Sequence, residues 1–390
     1  MTSFLLRENL VLGLLSLLML AACGDDAAQE GGGGAGAGGG SSTGGSGGGG
    51  GGAVCPVGSH AGTDGACEAT LAEWTAGPAL AQKRDHHITF VVETNAGPVL
   101  YAAGGVVDNG ALQDSVEMAP IAADGSLSAW TTGGTLPQVA AGAGVAVIDK
   151  TVIVTGGFRM NGASAILSRS TDVGTVMPDG TIGDWQAGPD LSRTRFHHTM
   201  VADGSRLYVL GGLTGDNTDN TNVVETATVG ADGTVSAWTA VTPLPTKRSH
   251  HSAAVYEGAI YVTGGLEGDP AGSNVTFDEV LRAPILAGGA LGDWAVVGQL
   301  PTTLTTHASF VHAGSLYVVG GIENDTQNTA AVRRAPIGAD GSVGAWESLP
   351  DLPKARAHAH QAPFFQGYAY AVGGAFNHAS IADVYLGRFE

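Results

Sequence analysis

Positive charge is scarce in this chain. Its 390 residues hold 17 Lys and Arg against 36 Asp and Glu, a formal net charge of −19. A balance that acidic excludes nucleic acid and anionic lipid surfaces as general partners. Cysteine is nearly absent, at three residues, and none follows Cys67. Outside a glycine-rich stretch near the start there is no Gly-x-Ser-x-Gly, and nowhere is there a His-Glu-x-x-His or Ser-x-x-Lys. No standard motif therefore supplies a hydrolytic mechanism. Helical periodicity is missing too: after residue 54 no run of ten residues places its apolar positions at helical spacing, which leaves an almost all-β chain.

The first 22 residues read as a secretory signal, with Arg7 ahead of an apolar run from Leu10 to Ala22 that is short for a membrane span. That run ends Leu20-Ala21-Ala22-Cys23, which resembles the lipobox of bacterial lipoproteins. The resemblance implies lipidation of Cys23 and attachment to the cell envelope, with several acyl chains holding the chain stably. Gly24 follows, so the best-known inner-membrane retention residue, Asp at that position, is absent; Asp25 and Asp26 come later. An outer membrane of a Gram-negative bacterium is the expected address. Residues 23–53 form the tether, and from Gly31 to Gly52, 16 of 22 residues are Gly. Such a stretch buries no core and is expected to be disordered, with a root-mean-square reach of about 30 Å. Loss of residues 1–22 removes one Arg and one Glu, so the mature charge is unchanged. With Cys23 lipidated, Cys55 and Cys67 remain as an even pair in an exported chain, and a disulfide is expected to close residues 54–68 into a loop. A metal site is the alternative there, with only His60 inside the loop to support it.

Trp74, Trp130, Trp185, Trp238, Trp294 and Trp346 recur at intervals of 56, 55, 53, 56 and 52 residues, each followed by Gly-Gly 26 to 30 residues on. Six residues before a Trp stands Asp-Gly in four copies (Asp124, Asp179, Asp232, Asp340), and Gly288-Gly289 holds that place in a fifth. Asp-Gly between apolar runs predicts a hairpin with a type I′ turn. Each unit thus reads as four strands, a to d, with Trp beginning d and Gly-Gly ending b. Repeats of about 50 residues with this make-up predict a β-propeller, in which radial closure hides the sheet edges. Gly-Gly after Tyr and Val, Arg-x-His and the later Trp also resemble the kelch repeat over residues 69–390. The expected fold is all-β: a six-bladed propeller of four-stranded blades. The chain ends in a c strand, Ile381 to Glu390, and Trp74 has no c strand before it. Residues Cys67 to Gly77 should therefore supply the last d strand and close the ring.

Three columns emerge from the Trp alignment. Ten residues on stand Arg84, Arg195, Arg248 and Arg356, with Ala140 and Leu304 as exceptions. Twelve on stand His86, His197, His250 and His358, with Gly142 and Thr306 as exceptions; thirteen on stand His87, His198, His251 and His307. Strand alternation sends the two His columns opposite ways. Blade two lacks all three columns and blade five keeps one. A six-fold ring then sets the remaining residues as two facing pairs, from blades six and one and from blades three and four. Four Arg near a central channel could hold an anionic sugar or carboxylate, and replacing Arg195 and Arg248 should then abolish binding without harming the fold. The competing reading is structural, because Arg and His at these places in kelch repeats commonly bond neighbouring loops. A multi-His metal site needs convergent geometry that only one or two positions usually provide, so no metal and no cofactor is expected. The b–c loops, such as Leu213 to Asn220, are rich in Asp and Asn; this is ordinary turn composition, though it would suit Ca²⁺ or a polar sugar.

Function is narrowed rather than named. A non-catalytic recognition module for a glycan or protein, touching membrane only through its anchor, fits these features. Among six-bladed kelch proteins, the secreted bacterial sialic-acid mutarotases are the nearest enzymes, but no acid–base pair can be assigned from the alignment. Galactose-oxidase-type chemistry needs a Cys crosslinked to a Tyr beside copper, and every Cys here precedes the first blade.

Overall fold

A computed structural model describes residues 55–62, 66–108, 110–215, 219–268, 274–359 and 361–390. The signal segment, Cys23 and the tether lie outside the described residues. Among the described residues the chain is all β save one 3-10 turn, Ala287–Gly289.

Four four-stranded sheets and one eight-stranded sheet form the body. The eight-stranded sheet is two four-strand units, joined only where Gly134 meets Ile182 in a parallel bridge. Each unit is an antiparallel meander in chain order. The third, for instance, runs Thr199–Asp203, Arg206–Leu210, Val224–Thr228 and Thr239–Val241. The sixth has Phe364–Phe365, Tyr368–Val372 and Val384–Phe389, and its outer strand is Leu71–Ala76 from the other end of the chain. Trp74 pairs with Gly387 there, as the missing strand required.

The units pack face to face through apolar residues of their central strands, which are buried on both faces and so read as continuous apolar runs such as Leu207-Tyr208-Val209-Leu210. Polar atoms on the aromatic side chains tie neighbours together. Tyr101, Tyr208, Tyr261 and Tyr370 each donate to a carbonyl of Gly180, Gly289, Gly341 and Gly125, in the c–d turn of the next unit. Trp130, Trp238 and Trp294 donate their indole N–H to the carbonyl of Pro78, Pro189 and Thr242, and Trp74 donates to Pro350. Tyr370 to Gly125 and Trp74 to Pro350 carry this pattern across the junction of the chain's ends.

Two expectations need amendment. The Asp-Gly turns are not type I′, because Gly125 has φ +77° while Asp124 is absent from the positive-φ residues. Gly125 N–H bonds Ala122 O and Ala122 N–H bonds Ser126 O, which is a type I turn followed by a left-handed Gly. The Asp124 carboxylate accepts from the Ser126 N–H and hydroxyl, and those bonds hold it below the usual carboxylate range. The b–c loops are also more ordered than their composition implied: Phe158–Asn161 with Ser164–Leu167, and Leu266–Gly268 with Asn274–Thr276, form two-stranded ribbons.

At the chain's start Cys55 and Cys67 form the expected disulfide. The loop it closes lies against the fifth and sixth units: His312 Nε2 bonds Gly58 O at 2.9 Å, and His60 Nδ1 lies 3.3 Å from Glu390 O, while just past the loop Thr70 and Glu390 exchange two backbone bonds at 2.9 Å.

Candidate functional site

The residue twelve after each Trp has left-handed backbone in all six units: His86 (φ 52°), Gly142 (58°), His197 (51°), His250 (56°), Thr306 (56°) and His358 (46°). Side chains other than Gly, Asn, Asp and His rarely sit there, so this column is selected by backbone first. In five of the six units the turn aims this N–H at the carbonyl of the same residue in the preceding unit. His86 bonds His358 O at 2.7 Å, Gly142 bonds His86 O at 2.8 Å, and His197 bonds Gly142 O at 3.1 Å. His250 bonds His197 O at 3.1 Å and Thr306 bonds His250 O at 2.7 Å. Together these contacts trace a ring of six residues around the centre of the molecule.

The four imidazoles on this ring meet. His86 stacks on His358 with centroids 3.8 Å apart, and His197 lies 3.8 Å from His250. These pairs come from the sixth and first units and from the third and fourth, while the arginines expected beside them do not reach the ring. The pairs also touch each other, His86 to His197 at 5.0 Å and His197 to His358 at 5.6 Å. Gly142 lies between His86 and His197 in the ring and adds no side chain; Phe196 fills the place a Cβ there would need. One coordinating atom each of His86, His197 and His358 lies within 4.8 Å of the others.

Asp85 is a member of this cluster that the alignment missed. Its carboxylate bonds His86 Nδ1 and accepts from Ser380 Oγ at 2.6 Å. Burial alone would raise its pKa, but the charges of His86 and His358 and the bonds from His86 and Ser380 outweigh that and lower it. Its column, eleven after Trp, reads Asp85, Ala141, Phe196, Ser249, Thr305 and Ala357, with no repeated type to draw the eye.

The column thirteen after Trp goes elsewhere. His87, His198, His251 and His307 are buried between units, where the ring of each closes on the first Gly of the preceding unit's Gly-Gly. His198 Nε2 accepts from Gly144 N–H at 3.1 Å and lies 3.0 Å from Thr155 Oγ1. Desolvation pushes His87, His198 and His307 down to about 3, and His251 well below its ordinary value. Gly-Gly follows from the same crowding: at Gly211 (φ 57°) a Cβ would strike Arg248 O and the His251 ring, and at Gly212 (φ 105°) it would strike His198.

The Arg column is enclosed. Arg195 donates to Gly211 O at 2.6 Å, Val223 O at 2.9 Å and Glu225 at 2.5 Å. Arg84 repeats this with Gly104 O and Glu117, and Arg248 with Gly264 O and Glu279. Arg356 bonds the carbonyls of Ala371, Gly373 and Asp383, and burial lowers it to about 10. Each guanidinium thus braces the end of strand b against strand c of its own unit. Replacing Arg195 would strand a buried Glu225, so the double change that was to spare the fold would damage it.

The two units without an Arg at this place bring one from another element. In the second, Arg159 Nε donates to Gly156 O and its Nη1 pairs with Asp172 at 2.8 Å. In the fifth the signs exchange strands, and Arg333 on strand c pairs with Glu323 after Gly-Gly at 2.5 Å. Arg159 sits two residues past Gly157, and Arg333 stands thirteen before Trp346, where Glu117 and Glu225 stand before Trp130 and Trp238. Those offsets were readable, but only once the acidic partner's column was known.

No protein-family model matches the chain. Curated proteins do: it is 27% identical over 205 residues to the kelch-like protein terF of Aspergillus terreus, covering 49% of this chain and 42% of that protein. It is 29% identical over 195 residues to human kelch-like protein 34, covering 50% of this chain and 27% of that one. The chain spans less than half the length of these relatives. Among solved structures it resembles that of YjhT with a TM-score of 0.61 and 13% identity, covering 79% of this chain and 95% of that one. Fold and relatives together support a kelch-repeat protein with propeller-like architecture.

Proposed function

We propose that the chain is a lipid-anchored cell-envelope protein, held at the outer membrane through Cys23, that recognises a protein or glycan without catalysis. The observation that carries the reading is the fate of the arginines. All four are consumed in bracing the units, which leaves the half-buried His86 and His358 of the imidazole ring, together with the b–c loops above it, as the chemically distinctive surface. Those loops come after strand b and bridge to the residues leading into strand a, as Phe196 with Leu213 and Ser249 with Leu266, so both share one pole. Exposed ion pairs such as Lys247–Asp219 and Lys83–Asp108 lie in the same segments and give that pole a polar rim. Protease shaving of whole cells tests exposure, and pull-down with the double variant Lys83→Glu, Lys247→Glu tests the pole. Capture lost with the fold intact fits the reading; capture unchanged moves the partner to another face.

A sugar-handling enzyme of the mutarotase type is the second reading, favoured by one observation. Asp85 and His86 form a carboxylate–imidazole pair on the ring, the acid–base couple that proton transfer at a hemiacetal requires. NMR exchange between anomers of acidic and neutral monosaccharides tests it: acceleration lost in Asp85→Asn supports catalysis, and no acceleration removes it.

A further inference from the structure

We infer that His86, His197 and His358 form a binding site for one divalent transition-metal ion of imidazole preference, such as Zn²⁺. The coordinating atoms come from three different units, yet none lies more than 4.8 Å from another. A tetrahedral zinc ion, with Zn–N bonds of about 2.05 Å, sets its nitrogens about 3.3 Å apart. Ring rotation on binding the ion is what closes that difference.

Three features of the surroundings fit an ion. The ligands are pre-positioned, because each stands on the ring of backbone hydrogen bonds in a fixed left-handed turn. His86 has the outer partner that metal-ligating histidines have: Asp85 bonds its Nδ1, and Ser380 Oγ holds Asp85 in turn. The break in the repeat falls where an ion needs it. Gly142 adds no side chain between His86 and His197, and Phe196, stacked at 5.9 Å from His86, closes the apolar side of the cluster. A ring with histidine in every copy would crowd this point; the asymmetric one lets two of its pairs converge. Three imidazoles leave a fourth position for water or for an oxygen of a bound molecule.

The inference shares its pole with the proposed recognition surface but does not depend on a partner, so its test stands apart from capture and shaving. Tag-free protein is titrated with ZnCl₂ by calorimetry beside three variants. The expected result is one Zn²⁺ per wild-type chain, with no saturable binding in the double variant His86→Asn, His358→Asn. Binding should persist in His250→Asn, which removes the neighbouring imidazole outside the trio. Asp85 acts as a positioning residue, and Asp85→Asn should weaken zinc by about 10- to 100-fold. Wild-type protein that binds no zinc, or zinc that binds the double variant as tightly as wild type, overturns the inference. Should a variant fail to fold, X-ray absorption of the zinc-loaded wild-type chain counts imidazole ligands directly: three support the site, and one or none overturns it.

Discussion

His86 and His87 are neighbours in the chain, and so are His197 and His198, yet the members of each pair live in different chemistry. The first of each stands on the axial ring, its imidazole 3.8 Å from another. The second is shut between units against a glycine, its ring kept neutral by desolvation. One repeat thus supplies a column that could serve recognition and a column that serves packing, in consecutive positions. Recurrence alone does not tell them apart; backbone direction does, because the left-handed turn points one side chain at the axis and the following strand turns the next one inward.

The Arg column falls on the packing side of this divide, and breaking it should have the largest effect. Arg195→Met leaves Glu225 buried and unpaired, which should cost about 3–5 kcal/mol in urea denaturation, and adding Glu225→Leu should restore most of it. Reduction of Cys55–Cys67 should come next, at about 3 kcal/mol in the chain-entropy view. Hydrogen exchange should localise that loss to Leu71–Ala76, the strand that closes the ring. His87→Ala opens a cavity between units and should cost about 2–3 kcal/mol, whereas His86→Asn, still at ease in a left-handed turn, should cost under about 1 kcal/mol.

Acid should act through the packing column. His87, His198 and His307 titrate near 3 in the folded chain and near 6.5 when unfolded, so between those values the unfolded state binds more protons. Stability is therefore full above about pH 6.5 and falls as pH drops toward 3. His198→Gln should remove one residue's share, up to about 1.4 kcal/mol per pH unit, read as a shallower fall of the melting temperature from pH 6.5 to pH 4. The smallest effect is on the axial ring itself: Thr306 is a β-branched residue at φ 56°, and Thr306→Gly should stabilise by up to about 1 kcal/mol.

Much of the architecture was legible because it rests on local chemistry. Trp spacing counted the units, and a c strand at one end with an orphan Trp74 at the other told how the ring closes. The turn type was not legible, since Asp-Gly serves two geometries and the Asp124 bonds to Ser126 select between them. The role of the arginines was hidden for another reason: their partners Glu117, Glu225 and Glu279 come from a different strand, and only the register brings them together. Gly142 and Thr306 looked like losses from a histidine column. Both are members of a left-handed backbone column, of which histidine is one tolerated occupant, and the gap at Gly142 is what lets His86 and His197 meet.

Thermal melts of His86→Asn and His87→Ala, each with and without ZnCl₂, test the division between the columns most directly. The account predicts that His86→Asn melts near wild type and loses most of the zinc-induced rise in melting temperature, while His87→Ala melts well below wild type and keeps that rise. Equal losses of stability in the two variants, or a zinc response that vanishes with His87 and survives without His86, would contradict it.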